Sequence, residues 1–226
     1  ILGFHSQKDQ FLIGIRKYGE VLEMGTFHKG INNQEKKLLI QTITSNQIQN
    51  KEGTIYIDPG ICVELSFRVI ENGKLRDAVF NTIKFDIGWE QCTWEILILL
   101  NTSVKQEVAF TNLGKVIWEN PLIRKDGLLS YLAEVSSHML PFLKERALTV
   151  IRYPNGIKGE SFFQKNCPEY APSFIQTTEK EGTDFVVCDD LSTLLWLGNQ
   201  LAIEYHVPFQ TIHEECPFEI VFDLDP

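Results

Sequence analysis

The pattern of apolar residues changes character near residue 90, and this change does most to limit the folds open to the chain. Before it, short apolar or alternating runs follow one another between turn-forming residues. Phe11-Leu12-Ile13-Gly14-Ile15 leads through Tyr18-Gly19-Glu20 into Val21-Leu22-Glu23-Met24, the pattern of a hairpin with a glycine-containing turn. Ile55-Tyr56-Ile57 and Val63-Glu64-Leu65-Ser66-Phe67-Arg68-Val69 follow, the second with strict alternation, and Asn72-Gly73 signals a tight turn before Leu75-Arg76. Residues 33–48 carry Leu38, Leu39, Ile43 and Ile48 with polar residues interposed, which predicts a helix packed over the strands.

Short strands interrupted by one helix predict an all-β, OB-type closed barrel over residues 1–95. Barrels of this kind commonly bind oligonucleotides, although a fold alone licenses no function. Asp86 to Trp94 reads as the exit from the barrel and residues 96–107 as a linker, with a short polar bridge at 101–106. In the second half, Leu128, Leu129, Leu132, Val135, Met139 and Leu140 follow a helical period, with Asp126 a candidate cap and Pro141 a kink or stop. Ala147 to Arg152 reads as a strand closed by the turn Tyr153-Pro154-Asn155-Gly156, and Phe185-Val186-Val187-Cys188 as another strand. Asp189-Asp190 then caps a helix expected to run through Leu194, Leu195, Leu197, Leu201 and Ile203 towards Tyr205. Strands alternating with helices predict an α/β or α+β domain over residues 108–226.

The closing stretch, Glu219-Ile220-Val221-Phe222-Asp223-Leu224-Asp225-Pro226, reads as an apolar strand on which Asp223 and Asp225 share one face. Paired carboxylates suit a hard cation such as magnesium or manganese; they equally suit the plain end of a strand. A net charge of −9 argues against a nucleic-acid binder, yet much of the acidic excess sits in residues 179–190 and 214–225, which leaves room for a basic face elsewhere. Five cysteines with no Cys-x-x-Cys pair indicate neither a zinc site nor a disulfide framework, and they read as reduced, packing thiols. The longest apolar run, Ile96 to Leu100, is too short to cross a bilayer and no signal peptide is evident, so a cytoplasmic location without membrane partners is expected.

Several blocks of the second half resemble the start of the polymerase domain of bacterial DNA ligase D, of the archaeo-eukaryotic primase superfamily. They are Thr111-Asn112-Leu113-Gly114-Lys115-Val116-Ile117-Trp118, Arg124-Lys125, Ile151-Arg152-Tyr153-Pro154-Asn155-Gly156, and Glu160-Ser161-Phe162-Phe163-Gln164-Lys165. Asp189-Asp190-Leu191-Ser192-Thr193-Leu194-Leu195-Trp196-Leu197, Glu204-Tyr205-His206 and Phe222-Asp223-Leu224-Asp225-Pro226 continue the series in family order. The first half is similar to the C-terminal OB domain of the ATP-dependent ligase module of the same family, through Ile1-Leu2-Gly3-Phe4, Phe11 to Ile15, Met24-Gly25-Thr26-Phe27, Gly73 to Phe80 and Cys92-Thr93-Trp94.

This resemblance implies roles. Asp223 and Asp225 would be two of the three carboxylates that hold Mn2+ or Mg2+ for nucleotidyl transfer, and His206 would face the incoming NTP or dNTP. Lys115 and Lys125 would contact a DNA 5'-phosphate, Arg152 further phosphates, and an exposed ring of Phe162-Phe163, beside Lys165, would stack on a base. In the barrel, Arg76 and Lys84 would orient the triphosphate of ATP in the ligase module, although the family's Asp-Lys pair is here Asp86-Ile87. Each residue also has a plain reading: a solvated lysine, an ion-paired arginine, two rings shared between the faces of a sheet, a histidine at a helix end.

The implied partners are double-stranded DNA ends and the Ku homodimer of bacterial end joining, with nucleoid association. Ligation needs a Lys-x-Asp-Gly lysine, and neither Lys51-Glu52-Gly53 nor Lys125-Asp126-Gly127 has that spacing. The expectation is therefore a truncated piece of a two-activity enzyme, inactive alone. The rival readings are a DNA-binding module without turnover and an unrelated metal-binding α/β domain.

Overall fold

The first hairpin sets the frame of the N-terminal unit. β1 (Gly3–His5) runs antiparallel to β2 (Gln10–Lys17), which turns through Tyr18 and Gly19, at φ of +53° and +86°, into β3 (Glu20–Phe27). Two consecutive residues of positive φ give the turn whose twist matches a right-twisted ribbon. The computed structural model describes residues 1–226 except 103, 105–107, 218, 223, 225 and 226, and it divides into two units, Ile1–Leu97 and Ile98–Pro226.

In the first unit, α1 (Asn33–Ser45) starts at a full capping box: the Asn32 side chain accepts from the backbone of Gln34 and Glu35, and Glu35 reaches back to Asn32. β4 (Gln49–Lys51) and β5 (Thr54–Tyr56) complete a five-stranded antiparallel sheet of order β3-β2-β1-β5-β4. Gly3 permits its centre, because a Cβ there would fall 2.3 Å from the Ile55 carbonyl oxygen. The expected run from Val63 to Val69 is split: β6 (Cys62–Ser66) pairs with β9 (Val79–Lys84), while β7 (Val69–Glu71) turns at Asn72-Gly73 into β8 (Lys74–Arg76). β3 and β4 remain open edges of the main sheet, so among the described residues the ladders do not close into a barrel. Beyond its ladder with β6, β9 meets the segment that follows β3 through an isolated bridge from Val79 to Lys29.

Phe4, Phe11, Phe27 and Phe80 form a line of rings with successive centroids 5.0, 5.0 and 5.7 Å apart, and α1 adds Leu39 and Ile43 to the same core. After a 3-10 turn at Trp89–Gln91, α2 (Trp94–Leu100) occupies residues expected to be barrel exit and linker.

The second unit opens with the ribbon β10 (Val116–Glu119) and β11 (Leu122–Arg124), followed by α3 (Lys125–Leu143). Arg124, not Asp126, holds the cap position; Asp126 lies within the first turn, where its charge suits the helix dipole. Pro141 falls in the last turn, where the missing N–H costs one bond, and the helix continues to Leu143. β12 (Thr149–Arg152) pairs antiparallel with β13 (Phe162–Gln164); β14 (Gln176–Lys180) and β15 (Thr183–Val187) form a second ribbon.

α4 (Leu191–Asn199) is capped by Asp190, whose carboxylate accepts from Thr193 N at 2.8 Å. It does not run to Tyr205. Leu201 takes φ +62°, the chain reverses, and β16 (Ala202–His206) pairs with β12 to give a sheet of order β13-β12-β16. α3 and α4 approach at Gly198, where a Cβ would meet Leu132 Cδ1 at 2.4 Å, and Leu129, Leu132, Leu194, Leu195 and Leu197 fill the contact.

Beyond β16, buried Arg146 donates to the Pro208 carbonyl and pairs with Glu219, both at 2.6 Å. The expected closing strand is not formed by its described residues: Ile220, Val221, Phe222 and Leu224 are exposed and belong to no ladder, and an extended segment without a ladder partner is no strand. No helix among the described residues is long and apolar enough to cross a membrane.

Phe11 is wholly buried at the centre of its ring stack. Phe11→Ala is expected to cost about 3–5 kcal/mol, read as a lowered urea midpoint with an unchanged slope.

Candidate nucleic-acid interface

The sheet β13-β12-β16 sets the registers of the candidate residues. Ile151 stands between Phe163 on one neighbour and Glu204 on the other, and Arg152 stands opposite Phe162. Neighbours along a strand point to opposite faces, so the two phenylalanines separate. The Phe163 ring lies 6.3 Å from the His206 ring, whereas the Arg152 guanidinium lies 5.3 Å from the Phe162 ring centre. Phe163 is 68% exposed and Phe162 45%, so neither belongs to the core.

His206 ends a strand rather than a helix, and Glu204, two residues earlier on the same face, meets it: Glu204 Oε2 lies 3.3 Å from His206 Nε2. The other oxygen of Glu204 accepts from the Tyr153 hydroxyl, a bond that holds the Tyr153 pKa above its ordinary value. One carboxylate thus spans a phenol and an imidazole.

Arg152 is largely engaged within the protein. Its Nε donates to the Gln200 carbonyl at 2.8 Å, one terminal nitrogen to Gln164 at 2.7 Å and Tyr170 at 3.0 Å, and the other to the Gln200 side chain at 3.2 Å. It ties α4's C-terminus to β13, and a phosphate would have to displace one of these acceptors. Lys165, just past β13, is exposed.

Lys115 and Lys125 meet at the start of α3, where Lys125 N donates to the Lys115 carbonyl at 2.8 Å. Their side chains differ. Lys115 is exposed and its ammonium donates to the Pro154 carbonyl, in the turn after β12. Lys125 is only 3% exposed, and its ammonium donates to the Thr111 carbonyl at 2.7 Å. Burial, then the charge of Lys115, lowers its pKa to about 8. Buried Asn199 fixes the segment that supplies this carbonyl, accepting from Thr111 N at 3.2 Å and donating to the Ala109 carbonyl at 3.0 Å. The expected exposed pair of phosphate contacts is therefore one outward lysine and one anchored beneath it, because the Thr111 carbonyl draws Lys125 inward.

The structure links Lys115 through the Tyr153-Pro154 turn to Glu204, His206 and Phe163. Glu204, Tyr153 and Asn199 had no role assigned from sequence; a Glu-x-His pair on one strand face is the signal, hidden because the segment reads as helix. Asp223 and Asp225, the expected metal ligands, lie outside the described residues. Among the described residues no group of three His, Cys, Asp or Glu side chains is placed to hold a metal. Arg76 and Lys84, in the first unit, are paired with Glu71 at 2.8 Å and Asp86 at 3.4 Å, so an ATP phosphate would compete with a carboxylate at each.

Residues 124–226 match the family described as the primase-polymerase domain of LigD, which makes this stretch LigD-like in sequence. Over its whole length the chain is 40% identical to the bifunctional non-homologous end joining protein LigD of Bacillus subtilis, and it spans 37% of that protein. It is 32% identical over 128 residues to the multifunctional non-homologous end joining protein LigD of Mycolicibacterium smegmatis, covering 54% of this chain and 17% of the relative. A solved polymerase domain from Mycobacterium tuberculosis Ligase D, in complex with DNA, superposes with a TM-score of 0.44 at 30% identity, over 46% of this chain and 38% of that one. The chain is thus similar in sequence to LigD-type non-homologous end joining proteins, of which it spans 37% or less.

The buried lysine sets a pH dependence. An unfolded lysine keeps its proton to about pH 10.4, whereas Lys125 in the fold releases it near 8, so between these values the unfolded chain binds more protons and stability rises with pH. Urea unfolding on either side of pH 8 should show this rise in the native sequence and lose it in Lys125→Met.

Proposed function

We propose that the second unit holds the downstream 5'-phosphate at a DNA break while nucleotides are added to the facing primer 3'-hydroxyl, as the polymerase module of an end-joining enzyme. The observation that carries this reading is the continuous set of contacts from Lys115 through Pro154 and Tyr153 to Glu204, His206 and Phe163. It sets one exposed cation, one exposed imidazole and one exposed ring along a single path, in a chain whose net charge is −9. A phosphate needs the cation and a base needs the ring, and this path supplies both on exposed side chains.

In this reading Lys115 takes the 5'-phosphate, Lys125 adds its charge from beneath, Phe163 stacks on a base, and Glu204 presents His206 to the triphosphate of an NTP or dNTP. Asp223 and Asp225 supply oxygen ligands for Mn2+ or Mg2+, which would lower the pKa of the primer 3'-hydroxyl. Lys165 and Arg152 flank the DNA path, Arg152 chiefly by bracing β13. The first unit, with its five-stranded sheet and two ribbons, is the OB-type part of an ATP-dependent ligase module, with Arg76 and Lys84 near its nucleotide. Ku homodimers would bring the chain to broken ends.

Fluorescence anisotropy on gapped duplexes with and without a 5'-phosphate tests the reading. The native chain should prefer the phosphorylated gap and bind less tightly as salt rises. Lys115→Ala should abolish the preference, and Phe163→Ala should weaken binding to both duplexes roughly 5- to 100-fold. Equal affinity for the two gaps would defeat the proposal. Manganese-dependent primer extension separates a polymerase from the alternative, a DNA-binding module without turnover, which would share the phosphate preference and extend nothing.

A further inference from the structure

We infer that Cys62 and Cys92, in the first unit, are an oxidisable pair that closes to an intramolecular disulfide when the chain meets a peroxide. Their sulfurs lie 3.6 Å apart, already in contact, and a bond requires them to close to about 2 Å.

Both cysteines are fixed through their backbones rather than carried on free ends. Cys62 opens β6 and is paired in register with Lys84 of β9. Cys92 follows the 3-10 turn at Trp89–Gln91, and its carbonyl accepts from Arg16 N at 2.8 Å, which fastens it to β2. Cys62 is buried and Cys92 half-buried, so a small oxidant reaches Cys92 first while Cys62 waits behind it. Among the described residues Cys167, Cys188 and Cys216 show no such contact with another thiol.

The chemistry balances with one equivalent of hydrogen peroxide. The Cys92 thiolate attacks the O–O bond, giving a sulfenic acid, and the departing hydroxide takes up the thiol proton as water. The Cys62 sulfur then displaces hydroxide from the sulfenic sulfur, its own proton leaving with that hydroxide as a second water. Two thiols and one peroxide become one disulfide and two waters. Burial, then the neighbouring Cys62, raises the Cys92 pKa to about 11, so little thiolate is present at neutral pH and the reaction accelerates with alkalinity. The pair is a slow trap that responds to sustained oxidation.

The bond would enclose residues 62–92, and with them the β7–β8 ribbon, β9, Arg76 and Lys84. Among the described residues no ladder joins those elements to the five-stranded sheet, so a covalent tie between β6 and the segment fastened to β2 restrains their opening.

The test is oxidation of the native chain with hydrogen peroxide over a pH series, followed by unfolding, alkylation, digestion and mass spectrometry. The expected product is a Cys62 peptide joined to a Cys92 peptide, forming about 10-fold faster for each pH unit below the Cys92 pKa and reversed by a thiol reductant. Limited proteolysis within residues 67–78 should slow in the oxidised chain. Cys62→Ser should leave Cys92 as a sulfenic acid captured by a dimedone probe, and Cys92→Ser should leave Cys62 unmodified; either variant suffices if the other fails to fold. Free Cys62 and Cys92 after treatment that consumes exposed Cys216, or a bridge mapped to any other pair, would overturn the inference.

Discussion

β12 is held on both sides, and the second unit's candidate surface depends on that double registration. Ile151 must face Phe163 and Glu204 together, and a slip of one residue on either side would exchange Phe163 for its neighbours or turn Glu204 to the other face. Two constraints hold the register. Arg152 bonds Gln200 at the end of α4 and Gln164 on β13, so it measures the distance from helix to outer strand. Leu201, in the left-handed region, reverses the chain so that β16 enters beside β12 immediately after the helix. The packing of α3 on α4 at Gly198 then fixes where that reversal occurs.

Burying Lys125 has an energetic logic. An ammonium withdrawn from water is costly unless its protons find acceptors, and here the Thr111 carbonyl supplies one, from a segment that Asn199 holds in place. The lowered pKa records the part of that cost left over. What results is a positive charge fixed directly behind an exposed lysine, at the first turn of a 19-residue helix, so the electrostatic potential at Lys115 has three sources.

Much of the fold was legible in local chemistry. Tyr18-Gly19 and Asn72-Gly73 announced their turns, and the helix over the first sheet begins at the Asn32–Glu35 box because the side chains there complete one another. Contacts distant in sequence were not legible. The helical period of α4 runs on through Leu201 and Ile203, and the residue at positive φ is Leu201 while Gly198 sits inside the helix, so Glu204 and His206 read as helix and their shared face went unseen. Lys125 read as an outward-facing lysine, a phosphate contact or simply solvated, because the carbonyl that draws it inward lies 14 residues upstream. The apolar end of the chain read as a strand, yet a strand is defined by its neighbour, and its described residues have none. The expected barrel met a similar limit: strand-like runs and their turns were readable, closure was not.

The adjacency of Phe162 and Phe163 carries a consequence for any ligand. No bulge interrupts the ladder between them, so the two rings look out from opposite sides of one ribbon, the first above Arg152 and the second beside His206. A single file of stacked bases therefore cannot rest on both. If nucleic acid engages the second ring, the first is left as an independent foothold, open to a different strand or to a nucleotide flipped around the ribbon's rim.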